Sequence, residues 1–185
     1  PRIGIRFHIP QDMNIVEYFG RGPEENYIDR NAGTLIGLYK TTADKMYYNY
    51  VRPQENGHHT DTRWLSLSKK GGKGLTIVAD SIIGFNALRN SIEDFDSEEA
   101  LPHPRQWNNF SPEEIANHDE EAARNVLRRM HHVNDITPRD FVEVCVDMKQ
   151  QGVAGYNSWG ARPEPGYIIP ANQEYNWGFT LIPGK

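Results

Sequence analysis

Several side chains in this sequence have types and spacings that could do chemistry. His58, His59 and Asp61 bring two imidazoles and a carboxylate into four residues, a set that could ligate a metal ion. In an extended segment, however, adjacent side chains point to opposite faces, so the two histidines are badly placed to share one ion and a loop role is the expectation. The pair His131-His132 falls at the end of a predicted helix, where imidazoles suit the dipole rather than a metal. Four carboxylate pairs, Glu24-Glu25, Glu98-Glu99, Glu113-Glu114 and Glu120-Glu121, could cleave a glycoside only if two carboxyl groups flanked a sugar. As sequence neighbours on polar tracts they read as solvated surface. The single thiol, Cys145, lies among valines, which favours inert packing over nucleophilic use. There is no Gly-x-Ser-x-Gly elbow and no phosphate loop. Spacing alone assembles neither a catalytic site nor a metal site.

The aromatic residues are more suggestive. Tyr27, Tyr39, Tyr47, Tyr48, Tyr50, Trp64, Trp107, Trp159 and Trp177 are numerous for the length. Aromatic faces beside amides and carboxylates suit sugar rings, through apolar stacking and hydrogen bonds. The expectation is that most of them fill a core, with the loop residues Tyr156 and Trp159 as the candidates for sugar contact.

The elements that must position these groups are strands. In Arg2 to Ile9 the residues Ile3, Ile5, Phe7 and Ile9 alternate with Arg2, Arg6 and His8, a half-buried strand stopped by Pro10. Asn14 to Phe19 is a second strand, followed by the breakers Gly20-Arg21-Gly22-Pro23. Thr34 to Lys40 is a third. Pro53 to Gly57 is a turn, in which Asn56-Gly57 supplies a positive φ. Thr62 to Ser68 and Leu75 to Ala79 are strands joined by the glycine-rich loop Lys69 to Gly74, and Phe85 to Arg89 is one more. The tract from about 91 to 134 is polar. Within it, Ser111-Pro112-Glu113-Glu114 starts a helix expected over roughly 112–130, with Ser111 as cap and Pro112 in the first turn. The strand pattern resumes in Phe141 to Met148, with Val142, Val144, Val146 and Met148 on one face and Glu143, Cys145 and Asp147 on the other. A glycine-bearing loop, Gly152 to Trp159, and a last strand, Trp177 to Leu181, follow. About eight short strands at close spacing predict an all-β antiparallel sandwich.

Composition bounds the rest. With 185 residues the chain is long enough for one domain, which could bury roughly 70% of its unfolded surface. One cysteine excludes a disulfide framework and multi-cysteine metal sites. A net charge of −5, from 20 Lys+Arg against 25 Asp+Glu, argues against nucleic acid and anionic membranes as partners. No apolar run approaches the about 18 residues of a spanning helix. The chain opens Pro1-Arg2-Ile3 without an initiator methionine and is strand-like from its second residue. It therefore reads as a cut inside a larger protein, whose compartment, bacterial cytoplasm or periplasm, cannot be read from this sequence.

Three tracts carry a resemblance. They are Tyr18-Phe19-Gly20-Arg21-Gly22-Pro23-Glu24-Glu25-Asn26-Tyr27-Ile28-Asp29-Arg30; Tyr50 to Gly57, continuing to Thr62-Arg63; and Asp147 to Trp159, with a matching end from Tyr175 to Pro183. In order and approximate spacing the chain resembles the C-terminal (small chain, domain 5) region of bacterial β-galactosidases of glycoside hydrolase family 2. The likeness covers nearly everything except about 91–134, which reads as a lineage-specific insertion. The resemblance implies a β-supersandwich of the galactose-mutarotase-like type, present here in part. It implies a retaining parent enzyme that removes terminal β-D-galactose. Its two catalytic glutamates and its Mg2+ site, with Na+ as a second ion, would lie in a separate barrel. No catalytic residue or cofactor is then expected in this chain. Its partners would be the parent's other domains, the β-galactoside reached through them, and further subunits of a homo-oligomer.

Some members of the family place a tryptophan of this domain at the active-site rim. A gapless match back from Gly152 puts Glu143 at that position, with Phe141 nearby. The rim candidates are therefore Phe141, Glu143, Tyr156 and Trp159. Tyr156-Asn157 replaces the usual acidic pair of the family's loop, which argues against an ion there. Gly20, Gly22 and Pro23 read as turn geometry. Asn26, Asp29, Arg30 and Arg63, with Glu55, Asn56 and Gly57, read as structural motif residues that satisfy loop backbone. The alternative functions are a free-standing carbohydrate-binding module and, more weakly, a mutarotase-like epimerase, for which no His/Glu acid–base pair is marked.

Overall fold

The computed structural model describes residues 1–51, 53–95, 136–157 and 160–184. The helix expected over 112–130, the pair His131-His132, and Trp107 and Trp159 lie outside the described residues. The chain divides into two compact units. The larger comprises Pro1–Tyr48, Asn56–Asn90 and Pro138–Lys185, and the smaller Asn49–Glu55 and Ser91–Thr137. In the smaller unit, Ser91 begins a 3-10 turn over Ile92–Asp94 and its N–H donates to the Asp94 carboxylate at 2.9 Å, half of a capping box. Pro53 there is buried.

Among its described residues the larger unit has seven strands: β1 (Arg2–Pro10), β2 (Ile15–Gly22), β3 (Leu35–Thr42), β4 (His59–Ser68), β5 (Gly74–Leu88), β6 (Phe141–Gln150) and β7 (Phe179–Pro183). They form one sheet in the order β1-β6-β5-β4-β2-β3, with β7 also on β5, and every pairing is antiparallel. The all-β antiparallel class is thus what the sequence predicts, and it is consistent with a β-sandwich. The hairpin over Lys69 to Gly74 also forms, closing Ser68 against Gly74 with Gly71 and Gly72 at positive φ.

Three expectations need correction. The first concerns Gly20-Arg21-Gly22, which are not a turn. They continue β2 and pair with Gly37, Ile36 and Leu35. A Cβ on Gly20 would run into Thr62, and one on Gly22 into the Tyr18 hydroxyl and the Tyr39 ring. These glycines serve close approach inside a strand, with the cis Gly22–Pro23 peptide just beyond it. The second concerns Leu75–Ala79 and Phe85–Arg89, which belong, up to Leu88, to the two ends of a single 15-residue strand. Its first half pairs with β7 and its second with β6. The polar Asp80-Ser81 between them breaks the apolar alternation without breaking the strand. The third concerns β1, whose alternation yields a strand although only Ile9 of its apolar face is buried, while Ile5 is 49% exposed. As an edge strand, β1 pairs among the described residues only with β6.

The core combines Val16 and Tyr18 of β2, Leu65 and Leu67 of β4, Ile77 and Phe85 of β5, and Val142, Val144 and Val146 of β6, all fully or almost fully buried. In β6 the valine face is buried as the alternation predicts, but Glu143, Cys145 and Asp147 opposite it are buried too. Strand β6 sits between β1 and β5, and on its second face the β1 side chains Arg2, Arg6 and His8 reach across to Asp147 and Glu143.

Most of the tyrosines and tryptophans are not core, contrary to expectation. Of Tyr27, Tyr39, Tyr47, Tyr48, Tyr50, Trp64 and Trp177, only Tyr27 is fully buried. Trp64 pairs across the sheet with Phe19, on the face opposite to Tyr18 and Leu65, which is why it stays half exposed.

Candidate functional site: the junction of the motif loops

The three motif tracts are far apart in sequence and are tied together by side chains that capture backbone groups. Asn26 is the centre. Its amide Nδ2 donates to the carbonyls of Arg21 (3.2 Å) and Glu24 (3.0 Å), while its Oδ1 accepts from the Thr60 N–H (2.9 Å) and hydroxyl (2.5 Å). One buried side chain thus uses its whole hydrogen-bonding capacity to join the first tract to the second. Glu25 adds a second tie, accepting from the Gly57 N–H at 2.6 Å and from the Arg30 guanidinium at 2.9 Å. That guanidinium also lies 5.1 Å over the Tyr27 ring. Asp29 reaches the third tract, where its two carboxylate oxygens accept from the N–H groups of Val153 (3.1 Å) and Ala154 (2.7 Å). Gly152 precedes them because a Cβ there would stand 2.5 Å from that carboxylate.

The second tract is held in the same way. Asn56 accepts from the Tyr48 N–H at 2.8 Å and donates to the Tyr48 carbonyl at 2.6 Å. Gly57 has a φ of +69°, the conformation expected of an Asn-Gly turn. Glu55 is half-buried. Arg21 donates to the Asp61 carboxylate at 2.5 Å and to the Thr34 carbonyl at 2.8 Å. Asp61 has a φ of 53°, inside an irregular stretch of the β4–β5 register between His59 and Trp64. Arg63 is exposed, donates to the Asp61 carbonyl and lies 5.3 Å over the Phe19 ring. Pro23 is exposed.

Behind the junction lies a layer that sequence reasoning missed. His58 and His59 are not surface loop residues: His58 directly precedes β4, His59 opens it, and both are buried. Their rings do face opposite sides. His58 meets Asn86 (Nδ1 to Oδ1, 2.8 Å) and the Tyr27 ring, whereas His59 meets Tyr18, Phe85 and the Arg21 carbonyl. Asn86 donates to the Asn56 carbonyl, which turns its Oδ1 toward His58, so the imidazole donates from Nδ1–H. Burial lowers both histidines to a pKa of about 3 and keeps them neutral. Burial, with Tyr39 and Glu24 nearby, pushes the Tyr18 hydroxyl upward. Asp147 binds Arg2 at 3.1 Å and lies 3.9 Å from His58. Gly4 is needed there, since a Cβ would strike Asp147. The available signal was the alternation that put Arg2 on one face of β1 and Asp147 on one face of β6.

Among the rim candidates, Glu143 is 3% exposed, with His8 at 2.9 Å and Arg6 at 3.8 Å. Phe141 is half-buried under a stacked His8 ring, 3.9 Å between centroids. Tyr156 is 65% exposed and donates to the Arg162 carbonyl at 3.0 Å. Trp159 lies outside the described residues. Cys145 is a buried thiol.

A cleft of roughly 230 Å3 opens beside the junction. Ile28 and Asn31 line it from the first tract and just beyond it, Thr60 and Asp61 from the second, Met148, Lys149 and Gln150 from the third, and Ile82 to Gly84 from β5. Gln150 keeps its Oε1 buried without a hydrogen-bond partner among the described residues.

Chemically the junction clamps backbone. Among the described residues no group of three or more His, Cys, Asp or Glu side chains is placed to hold a metal ion. The carboxylates of Glu25, Asp29 and Asp61 are engaged with N–H groups or guanidinium.

The chain is similar to known proteins. The chain is 32% identical over 183 residues to a β-galactosidase of Priestia megaterium, with 99% of this chain and 15% of that protein covered. It is 38% identical over 112 residues to one of Arthrobacter sp., covering 57% of this chain and 11% of that protein. It is 26% identical over 184 residues to one of Streptococcus thermophilus, covering 99% and 15%. The chain therefore spans about one seventh or less of the length of these relatives. Residues 1–181 match the family model described as beta galactosidase small chain. With an antiparallel sheet whose three motif tracts are locked into one junction, and a family match over almost its whole length, the chain belongs to the beta galactosidase small chain family.

Proposed function

We propose that this chain is a non-catalytic domain of a retaining β-galactosidase of glycoside hydrolase family 2, its domain 5, and that it braces the catalytic barrel and helps shape the active-site rim. The observation that carries this reading is the junction. The polar motif side chains Asn26, Glu25, Asp29 and Asn56 are committed to backbone groups of their own unit, which is how loops are made rigid rather than how a proton is transferred. In this reading the catalytic carboxyl pair and the Mg2+ site, with Na+ as a second ion, belong to the parent's barrel. The parent removes terminal β-D-galactose, and Tyr156 and Trp159 are the loop aromatics offered toward the rim.

Assay of the 185-residue chain on a chromogenic β-galactoside is expected to show no turnover. Turnover that co-purifies with the chain through successive columns, and is lost on its unfolding, sinks the non-catalytic reading. The exposed Tyr156 and the cleft favour a second reading, a free-standing carbohydrate-binding module. Immunoblotting of the source cell separates the two. A native polypeptide several times larger than 21.2 kDa supports the domain reading, and one near 21.2 kDa supports the module.

A further inference from the structure

We propose that the cleft beside the motif junction is a binding site for one sugar ring. Four observations lead there. Its walls come from all three motif regions and β5, so the ties made by Asn26, Asp29 and Arg21 hold its shape before any ligand arrives, and pre-organisation of this kind lowers the cost of binding. Its size, roughly 230 Å3, is below the about 300–1,000 Å3 of drug-sized sites, which suits a single ring rather than an oligosaccharide.

Its chemistry is divided. Ile28, Ile83 and Met148 give an apolar wall, and Lys149, Gln150 and Asp61 give one cation and two kinds of acceptor. A pyranose has the matching division, with a C–H face and a rim of hydroxyls that each donate and accept. A purely apolar ligand would leave the Lys149 cation unanswered. Finally, Asp61 reaches the cleft from an irregular, left-handed position in β4. Such bulges re-aim side chains and recur next to sites.

The site is argued from geometry. It rests on the proposed function only for galactose as the first sugar to try. The test is a methyl-resolved NMR titration of the full chain with galactose, and with glucose as a second probe. Saturable shifts with either sugar at the methyls of Ile28, Ile83 and Met148 are expected. Ile82→Trp, at a position 48% exposed on the cleft wall, should abolish them. Lys149→Ala should weaken them roughly tenfold, as for loss of a hydrogen bond from a charged donor. Should Ile82→Trp fail to fold, Gln150→Leu replaces it, with the same expected weakening. Shifts that never saturate, that map elsewhere, or that survive these variants unchanged overturn the proposal. The turnover assay is independent of this titration, so an empty cleft leaves the domain reading standing, and turnover would sink that reading whatever the titration shows.

Discussion

The motif junction and the β3 edge invert the usual partition of side chains. At the junction polar residues are inside: Asn26, Asn56 and His58 are at most 2% exposed. On β3, at one edge of the sheet, apolar residues are outside: Leu35 and Leu38 are each 73% exposed. The junction tolerates the burial of Asn26, Asn56 and His58 because each of them has a partner, a backbone N–H or carbonyl or the Asn86 amide. The edge tolerates its apolar residues because an exposed leucine forgoes a gain and breaks no bond. Stability should therefore depend on the junction and be nearly indifferent to the edge.

The sharpest way to break this contrast is Asn26→Leu. The substitution strands the carbonyl of Glu24 and the N–H and hydroxyl of Thr60, and leaves the Arg21 carbonyl to His59. At about 1–3 kcal/mol for each buried group left unsatisfied, a loss of about 4 kcal/mol is expected in urea unfolding. A loss below about 1 kcal/mol would mean that water replaces the amide and the junction is not a clamp. Next comes Gly22→Ala, which forces a methyl against the Tyr18 hydroxyl and the Tyr39 ring. Overpacking of this kind costs about 1–3 kcal/mol, and the midpoint of thermal unfolding should fall accordingly. A midpoint equal to that of the parent chain would show that β2 can shift away from Tyr18.

The third test is pH. His58 and His59 titrate near 6.5 when unfolded and near 3 when folded. Below about pH 6.5 the unfolded chain takes up protons that the folded chain refuses, so stability falls with pH until about pH 3. The steepest slope is about 1.4 kcal/mol per pH unit for each histidine. Urea midpoints should decline steadily from pH 6.5 to 4, and His59→Gln should flatten part of that decline. A flat profile in the parent chain would show that the histidines are not buried neutral. The smallest effect is expected at the edge. Leu35→Lys with Leu38→Lys should alter stability by less than about 0.5 kcal/mol. A larger loss would show that β3 is covered in solution.

Much of the fold was legible in the sequence. Period-two alternation located β1 and β6; β3 and most of β4 read as strand tracts, and the glycine-rich Lys69 to Gly74 loop was visible as a hairpin because its residues tolerate the conformation required. Other features resisted. Gly20 and Gly22 look like breakers in one dimension and become strand residues only where Tyr18 and Thr62 crowd them. The tract from Asp80 to Ile82 lacks alternation, yet β5 runs through it across an irregularity in the β4–β5 register. The junction residues Asn26, Asp29, Asn56 and Gly57 were picked out through the family's motifs, but their partners were not, because Thr60, Val153 and Tyr48 are joined to them through backbone groups. Backbone groups carry no sequence signature. His58 and His59 were misplaced for the same reason. Their composition suggests surface, and only residues distant in sequence bury them, Tyr27 and Asn86 around His58 and Tyr18 and Phe85 around His59.

By itself, then, the sequence determined the strand-forming alternation, the turn at Asn56-Gly57, the charge balance and the family motifs. These are local properties, set by side-chain period, backbone preference and order along the chain. Only the tertiary structure decided which alternating faces are covered, which carboxylates meet arginines, and that three distant tracts close around one cleft. Those outcomes depend on what packs against each strand, and no spacing within a single tract records its neighbours in space.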